Sequence, residues 1–104
     1  MKQLIVIDMQ NDFVTGVLAN EGAKNAIPLI AKKIKDAIRP VIFTRDTHFE
    51  NYMETMEGKK LPVPHCIEGS EGHKIVPELL NVATNPIIVD KYTFGYTGWK
   101  EYIR

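Results

Sequence analysis

Three short apolar runs punctuate the chain: Leu4-Ile5-Val6-Ile7, Val41-Ile42-Phe43 and Ile87-Ile88-Val89. Each is continuous rather than alternating, rich in β-branched residues and closed by polar ones. That is the pattern of strands covered on both faces, as in a parallel sheet. The runs are too short for buried helices, and Pro40 and Pro86 bracket two of them. Between the first two runs, Ile27, Ile30, Ile34 and Ile38 recur at helical spacing, with Lys32, Lys33, Lys35 and Asp36 among them. This predicts an amphipathic helix with Asn25 as N-cap, Pro28 in its first turn and Pro40 as its stop. Strand, helix, strand implies a right-handed parallel crossover and an α/β class.

The segment from Arg45 to Ile75 breaks the pattern. It holds all three histidines, the only cysteine, three glycines and two prolines, with no sustained periodicity. So long a loop is usually functional or disordered. A short helix from Pro77 to Val82 is expected to lead into the third strand. After Lys91 the chain is expected to turn through Gly95 and Gly98 and begin a helix at Trp99 to Ile103. No internal repeat or low-complexity linker is visible.

Composition narrows the function classes. At 104 residues the chain holds one domain at most, and 44% hydrophobic residues suffice for a modest core. Lys plus Arg and Asp plus Glu number 13 each, so no basic face points to nucleic acid. No apolar stretch approaches the ~20 residues of a membrane span, and the start lacks the longer apolar region of a signal peptide. A single cysteine, Cys66, excludes an internal disulfide framework. The expectation is a reducing, cytoplasmic location without membrane or nucleic-acid partners.

Candidate chemistry gathers at the strand ends. In open α/β sheets, ligands bind beyond the carboxyl ends of the strands. Here those ends read Asp8, Arg45-Asp46 and Asp90-Lys91, three sets of charges on one rim. Asp8 and Lys91 would pair if their strands end close together. In Asp46-Thr47-His48, residues two apart in extended chain point to one side, so carboxylate and imidazole could share a metal ion. His65, on the bend Pro62-Val63-Pro64-His65-Cys66, is the natural third ligand. One carboxylate and two imidazoles with open positions suit zinc, iron or manganese. Cys66 follows His65, so it would face away from such an ion, and a buried inert thiol is expected. His73, between Gly72 and Lys74, is expected to be solvated.

The same residues carry a family resemblance. Val6-Ile7-Asp8-Met9-Gln10-Asn11-Asp12-Phe13 resembles the opening motif of the isochorismatase-like cysteine hydrolases. Thr44-Arg45-Asp46-Thr47-His48 and Pro64-His65-Cys66-Ile67-Glu68-Gly69-Ser70-Glu71-Gly72 resemble the metal loops of their nicotinamidase branch. Asp90-Lys91-Tyr92-Thr93-Phe94 resembles the segment carrying the family's catalytic lysine. The resemblance implies a three-layer, Rossmann-like parallel sheet. It implies a triad in which Asp8 accepts and shuttles the proton and Lys91 favours the thiolate and the charged intermediate. A cysteine would attack a small carboxamide such as nicotinamide, release ammonia and form a thioester that water hydrolyses. Asp46, His48 and His65 would hold a divalent metal, zinc first, with iron, manganese or magnesium as alternatives. That ion would position the ring nitrogen of a pyridine carboxamide. Phe13 and an aromatic of the Tyr92 to Tyr96 region, Tyr96 foremost, would stack on the ring; for Phe13, simple core packing is an equal alternative.

The resemblance also implies a gap. The family's nucleophile follows a fourth strand that this chain does not reach, and Cys66 occupies the position beside the metal histidine instead. The family sheet has six strands with the first one central, whereas three are legible here. The chain therefore reads as the N-terminal portion of a longer enzyme and is expected to be inactive alone. With its open edge it should associate as homo-oligomers, bind its missing C-terminal half or fold poorly. The alternatives are a related hydrolase of another small amide, or a non-catalytic metal-binding module.

Overall fold

A computed structural model describes residues 3–92 of the chain. Three parallel strands, β1 (Ile5–Ile7), β2 (Ile42–Asp46) and β3 (Ile87–Lys91), form a sheet in the order β1-β2-β3. The register sets Ile5 beside Ile42 and Ile42 beside Ile87, so the three runs lie level. Among the described residues four α-helices accompany them: α1 (Asn11–Val14), α2 (Glu21–Lys35), α3 (Met56–Lys60) and α4 (Pro77–Leu80). The fold is the α/β parallel architecture that the apolar runs predict. The turns and helix expected at 93–104, and Tyr96, lie outside the described residues. No helix among the described residues is long and apolar enough to cross a membrane.

The core lies between one face of the sheet and the helices. Val6 and Phe43 from the strands meet Val14 of α1, Ile34 of α2, Ile75, Val76 and Leu79. Complete burial on both faces holds for β2 alone, where Ile42, Phe43 and Thr44 are each 1% exposed. Ile7 in β1 and Ile88 in β3 are 63% and 43% exposed. The physical reason is position: β1 and β3 are the outer strands of the described sheet, and only the middle one is screened from both sides.

The amphipathic helix forms, but earlier than its isoleucine pattern predicts. Asn20, not Asn25, is the N-cap, and its side chain accepts from the Ala23 amide at 3.2 Å. Pro28 consequently sits inside the helix rather than in its first turn. It lies on the exposed side, where the carbonyl that loses its partner can bond water. The helix ends at Lys35, well before Pro40, with the Asp36 amide bonded to the Lys32 carbonyl. Lys32, Lys33 and Lys35 fill its last turn, where positive charge suits the carbonyl end of the dipole. Ile38 therefore falls outside the helix and is fully exposed.

The stretch from Arg45 to Ile75 is ordered by short-range devices rather than periodicity. A 3₁₀ turn at Tyr52–Glu54 leads into α3, which Thr55 caps by accepting from the Gly58 amide at 3.0 Å. Gly58 is required there, because a Cβ would collide with the Tyr52 carbonyl. A second 3₁₀ turn covers Glu71–His73.

Candidate metal centre and acid–base pair

Both sets of candidate side chains stand at the carboxyl rim of the sheet. β1 stops at Ile7 because Asp8 adopts a left-handed backbone, φ 54°. Aspartate tolerates that region better than most residues. The Asp8 amide still donates to the Thr44 carbonyl at 3.2 Å, and Thr44 Oγ1 donates to Asp8 Oδ1 at 2.8 Å. The other carboxylate oxygen, Oδ2, lies 2.9 Å from Nζ of Lys91. Lys91 belongs to β3 and Asp8 follows β1, so the lysine spans the rim of β2 to reach its partner.

The second set is a four-residue cluster. Asp46 ends β2, and His48 follows two residues later on the same side of the chain. The Asp46 Oδ2 oxygen lies 3.0 Å from His48 Nε2 and 3.5 Å from His65 Nε2. His65 arrives on a loop that pairs beside His48: the His48 amide donates to the Cys66 carbonyl at 3.0 Å, and the Glu68 amide donates to that of His48 at 2.8 Å. The fourth member, Glu57 from the first turn of α3, places Oε2 3.0 Å from His48 Nε2 and 3.9 Å from His65 Nε2. One ligand atom from each of Asp46, His48, Glu57 and His65 lies within 4.8 Å of every other.

This donor set fits a divalent ion. Zinc ligands about 2.1 Å from the metal at tetrahedral corners stand roughly 3.4 Å from one another, within the observed spread. Two imidazoles and two carboxylates also match the borderline character of zinc, iron or manganese. The His65 Nδ1 lies 2.7 Å from the Val63 carbonyl. A carbonyl can only accept, so Nδ1 carries the proton and Nε2 offers its lone pair to the cluster. Tyr52, 1% exposed, packs edge-on against both imidazoles, with ring centroids 4.7 Å from His48 and 5.2 Å from His65. Its hydroxyl donates to the Leu61 carbonyl at 2.7 Å, and burial followed by the nearby Glu57 and Asp46 charges pushes its pKa up. Phe13 of α1 meets His65 edge-on at 5.5 Å.

Glu57 is not anticipated from the pattern. The only signal for it is its place in a segment whose Thr55 can cap a helix, between the two histidines. His73 also departs from expectation: it is 3% exposed, not solvated. Its Nε2 lies 2.9 Å from Thr47 Oγ1, and its carbonyl accepts from Gln10, so the 3₁₀ turn folds inward over the end of β2. Burial, and next the Arg45 charge, lower its pKa. Arg45 itself is held by Asp90, with contacts of 2.6 and 2.8 Å from its guanidinium to the two carboxylate oxygens.

Cys66 is buried, with its sulfur 4.0 Å from the Gly72 carbonyl. It holds a left-handed backbone, φ 49°, and its amide donates to Asp12 Oδ2 at 2.8 Å. Burial first, then Asp46, Asp12 and Asp8, drive its pKa well above the ordinary thiol range. Such a sulfur stays protonated and is a poor nucleophile. Tyr92, the one described aromatic of the 92–96 region, stacks on Phe49 with centroids 5.6 Å apart and both rings about half exposed.

Comparison with known proteins places this geometry in a family. The isochorismatase domain model matches residues 2–103. The nicotinamidase/pyrazinamidase of Mycobacterium tuberculosis is 29% identical over 107 residues, covering 96% of this chain and 58% of that protein. The crystal structure of a nicotinamidase/pyrazinamidase from Bacillus subtilis superposes with a TM-score of 0.76 at 25% identity, covering 99% of this chain and 67% of that one. A Pyrococcus horikoshii pyrazinamidase solved in complex with zinc gives a TM-score of 0.67 at 31% identity, over 88% of this chain and 51% of that one. The chain thus spans between half and two thirds of the length of these relatives. On the match of the domain model to almost every residue, the chain belongs to the isochorismatase family.

Proposed function

We propose that this chain carries the metal-holding and acid–base portion of a nicotinamidase-like amidohydrolase, which converts a small carboxamide, nicotinamide first, to its acid and ammonia. The observation that carries the reading is the coincidence on one rim of the Lys91–Asp8 pair with the Asp46, His48, Glu57 and His65 cluster. The relatives named for nicotinamidase and pyrazinamidase activity, one of them solved with zinc, support it.

Asp46, His48, Glu57 and His65 are the residues that would hold a divalent metal, zinc by preference. When bound, such an ion supplies a Lewis acid able to anchor a ring nitrogen. The remaining chemistry belongs to side chains. Asp8 accepts the proton of an attacking thiol and returns it to the departing ammonia. Lys91, fixed on Asp8, supplies positive charge for the thiolate and for the oxyanion that follows. Phe13, edge-on to His65, offers a wall for a flat substrate ring, and a role in stacking on that ring is also assigned to Tyr96. The thiol itself is assigned to the part of the family domain that this chain does not span, because the single cysteine present is Cys66, with its suppressed reactivity. The outer side of β1, with Ile7 exposed beside it, supports association with that remaining part. A cytoplasmic setting accords with a free thiol.

The test is ammonia release from nicotinamide, pyrazinamide and an aliphatic amide. It is run on the chain alone and on a version extended through the rest of an isochorismatase domain. The chain alone gives negligible turnover. The extended protein hydrolyses the pyridine amide fastest and loses that activity in Lys91→Met. Metal binding without amide turnover in the extended protein would sink the substrate assignment. A second reading, a metal-binding module without catalysis, rests on the same buried Cys66; it predicts that outcome.

A further inference from the structure

Gln10 is completely buried, yet it is not a ligand, an acid or a base. Its side chain makes three hydrogen bonds. Oε1 accepts from the Asp46 amide at 2.8 Å, and Nε2 donates to the Asp46 carbonyl and to the His73 carbonyl, each at 2.9 Å. The pattern has a cause in the sheet. β1 breaks at Asp8, so beyond Thr44 the edge of β2 facing β1 has no strand to pair with. Left alone, the amide and carbonyl of Asp46 would be costly unpaired groups at a half-closed rim. A primary carboxamide is chemically a peptide group, with an N–H donor and a C=O acceptor in one plane. Gln10 therefore stands in for the missing stretch of strand.

We propose that Gln10 is a positioning residue for the metal centre: by clasping both peptide groups of Asp46 it fixes the backbone from which that carboxylate is aimed at His48 and His65. The inference rests on the metal reading above. Asp46 is the last residue of β2, and nothing beyond it continues the β1 ladder. Pinning its N–H and its C=O at once removes freedom on both sides of its Cα, which sets the direction of the side chain. The third bond draws in the turn at His73, whose ring in turn contacts Thr47 between the two ligands Asp46 and His48. Glutamate would keep the shape but lose both donors. Methionine would keep the volume and lose all three bonds. Asparagine would fall one carbon short.

The experiment uses the whole chain and Co²⁺ alone as probe, read by calorimetric affinity and by the visible absorption of the bound ion. Gln10→Met and Gln10→Glu are compared with wild type and with Ile34→Ala, a core change in α2 near the amino ends of β2 and β3 that lowers stability by ordinary loss of packing. Outer partners of metal ligands typically carry roughly 10- to 100-fold in affinity. Both Gln10 variants are expected to lose that much and to shift the absorption bands, while Ile34→Ala keeps wild-type affinity and spectrum. Gln10 variants that match Ile34→Ala in both readouts overturn the positioning role. Wild type that takes up no Co²⁺ overturns the metal reading instead. Hydrogen exchange at the Asp46 amide in the metal-free wild type gives an arm independent of variant folding. Protection like that of the β2 interior is expected, and exchange at a free-loop rate overturns the clasp.

Discussion

Nζ of Lys91 lies 2.9 Å from Oδ2 of Asp8 although a whole strand runs between their backbones. Thr44, on that intervening strand, donates to the other oxygen of the same carboxylate. The pair is neither fully buried nor free in solvent, with side-chain exposures of 14% and 27%. Lys91→Met should cost about 1–3 kcal/mol, between the values for exposed and buried pairs. Thr44→Val, which removes the hydrogen bond to the charged carboxylate together with the one that the Asp8 amide donates to the same hydroxyl, should cost roughly 1.5–3 kcal/mol. Urea denaturation of both variants checks this. Because both act on Asp8, the double variant should cost less than the sum.

Zinc should raise the melting temperature, and a chelator should return it to the starting value. An ion present at 100 times its dissociation constant adds about 2.7 kcal/mol. Glu57→Gln and His48→Ala should each reduce the zinc-dependent increment. Glu57→Gln leaving the increment unchanged would remove Glu57 from the ligand set. The remaining three residues would then be the set that the strand-end pattern alone suggests.

Asp12 is expected to matter through the loop that carries His65. Its Oδ2 accepts from the Cys66 amide, and its carboxylate fills the space that a Cβ on Gly72 would need. Asp12→Ala should cost roughly 1.5–3 kcal/mol, the range for hydrogen bonds to charged groups. Gly72→Ala should be destabilising in the same sense, by displacing that carboxylate. Zinc affinity should fall in both, as a titration would show.

Stability should fall on acidification through His73. Its folded pKa lies below its unfolded value, so between the two the unfolded chain binds the extra proton. The stabilisation is therefore complete above the unfolded value, about 6.5, and is lost as the pH drops from there toward the folded one. His73→Asn should flatten the melting temperature between pH 7.5 and 5.5 relative to wild type. Each 1 kcal/mol moves that temperature by roughly 4–8 °C in a domain of this size. The scan is best run with chelator, to separate it from metal release.

Cys66 should resist iodoacetamide in the folded chain and react once urea unfolds it. Its burial and raised pKa both act in that direction. Fast labelling under native conditions would return this thiol to consideration as a nucleophile.

Some of this was legible along the chain and some was not. The strands announced themselves because a buried parallel strand needs an unbroken β-branched run, and Asp8, Asp46 and Lys91 followed because the rim lies where such runs end. The helix boundary is not legible, because the apolar period starts at Ile27 while the capping hydrogen bond sits at Asn20, outside any period. Glu57 and the burial of His73 could not be read from spacing. Both depend on where two short turns fold back in space, which local chemistry such as the Thr55 cap permits but does not direct. Gln10 looked like one polar residue of a motif; only the break at Asp8 explains why a carboxamide belongs there.

β1 is three residues long because Asp8 turns the chain away. That brevity bears on solubility. A long exposed edge is a template on which any extended peptide can add, and very short edge strands are one of the ways proteins blunt it. Three residues offer little ladder to an unrelated chain. Lasting attachment there calls for a strand that also matches the surrounding side chains, as Ile7 would require. The left-handed turn at Asp8 thereby limits how long a ladder β1 can offer to any partner.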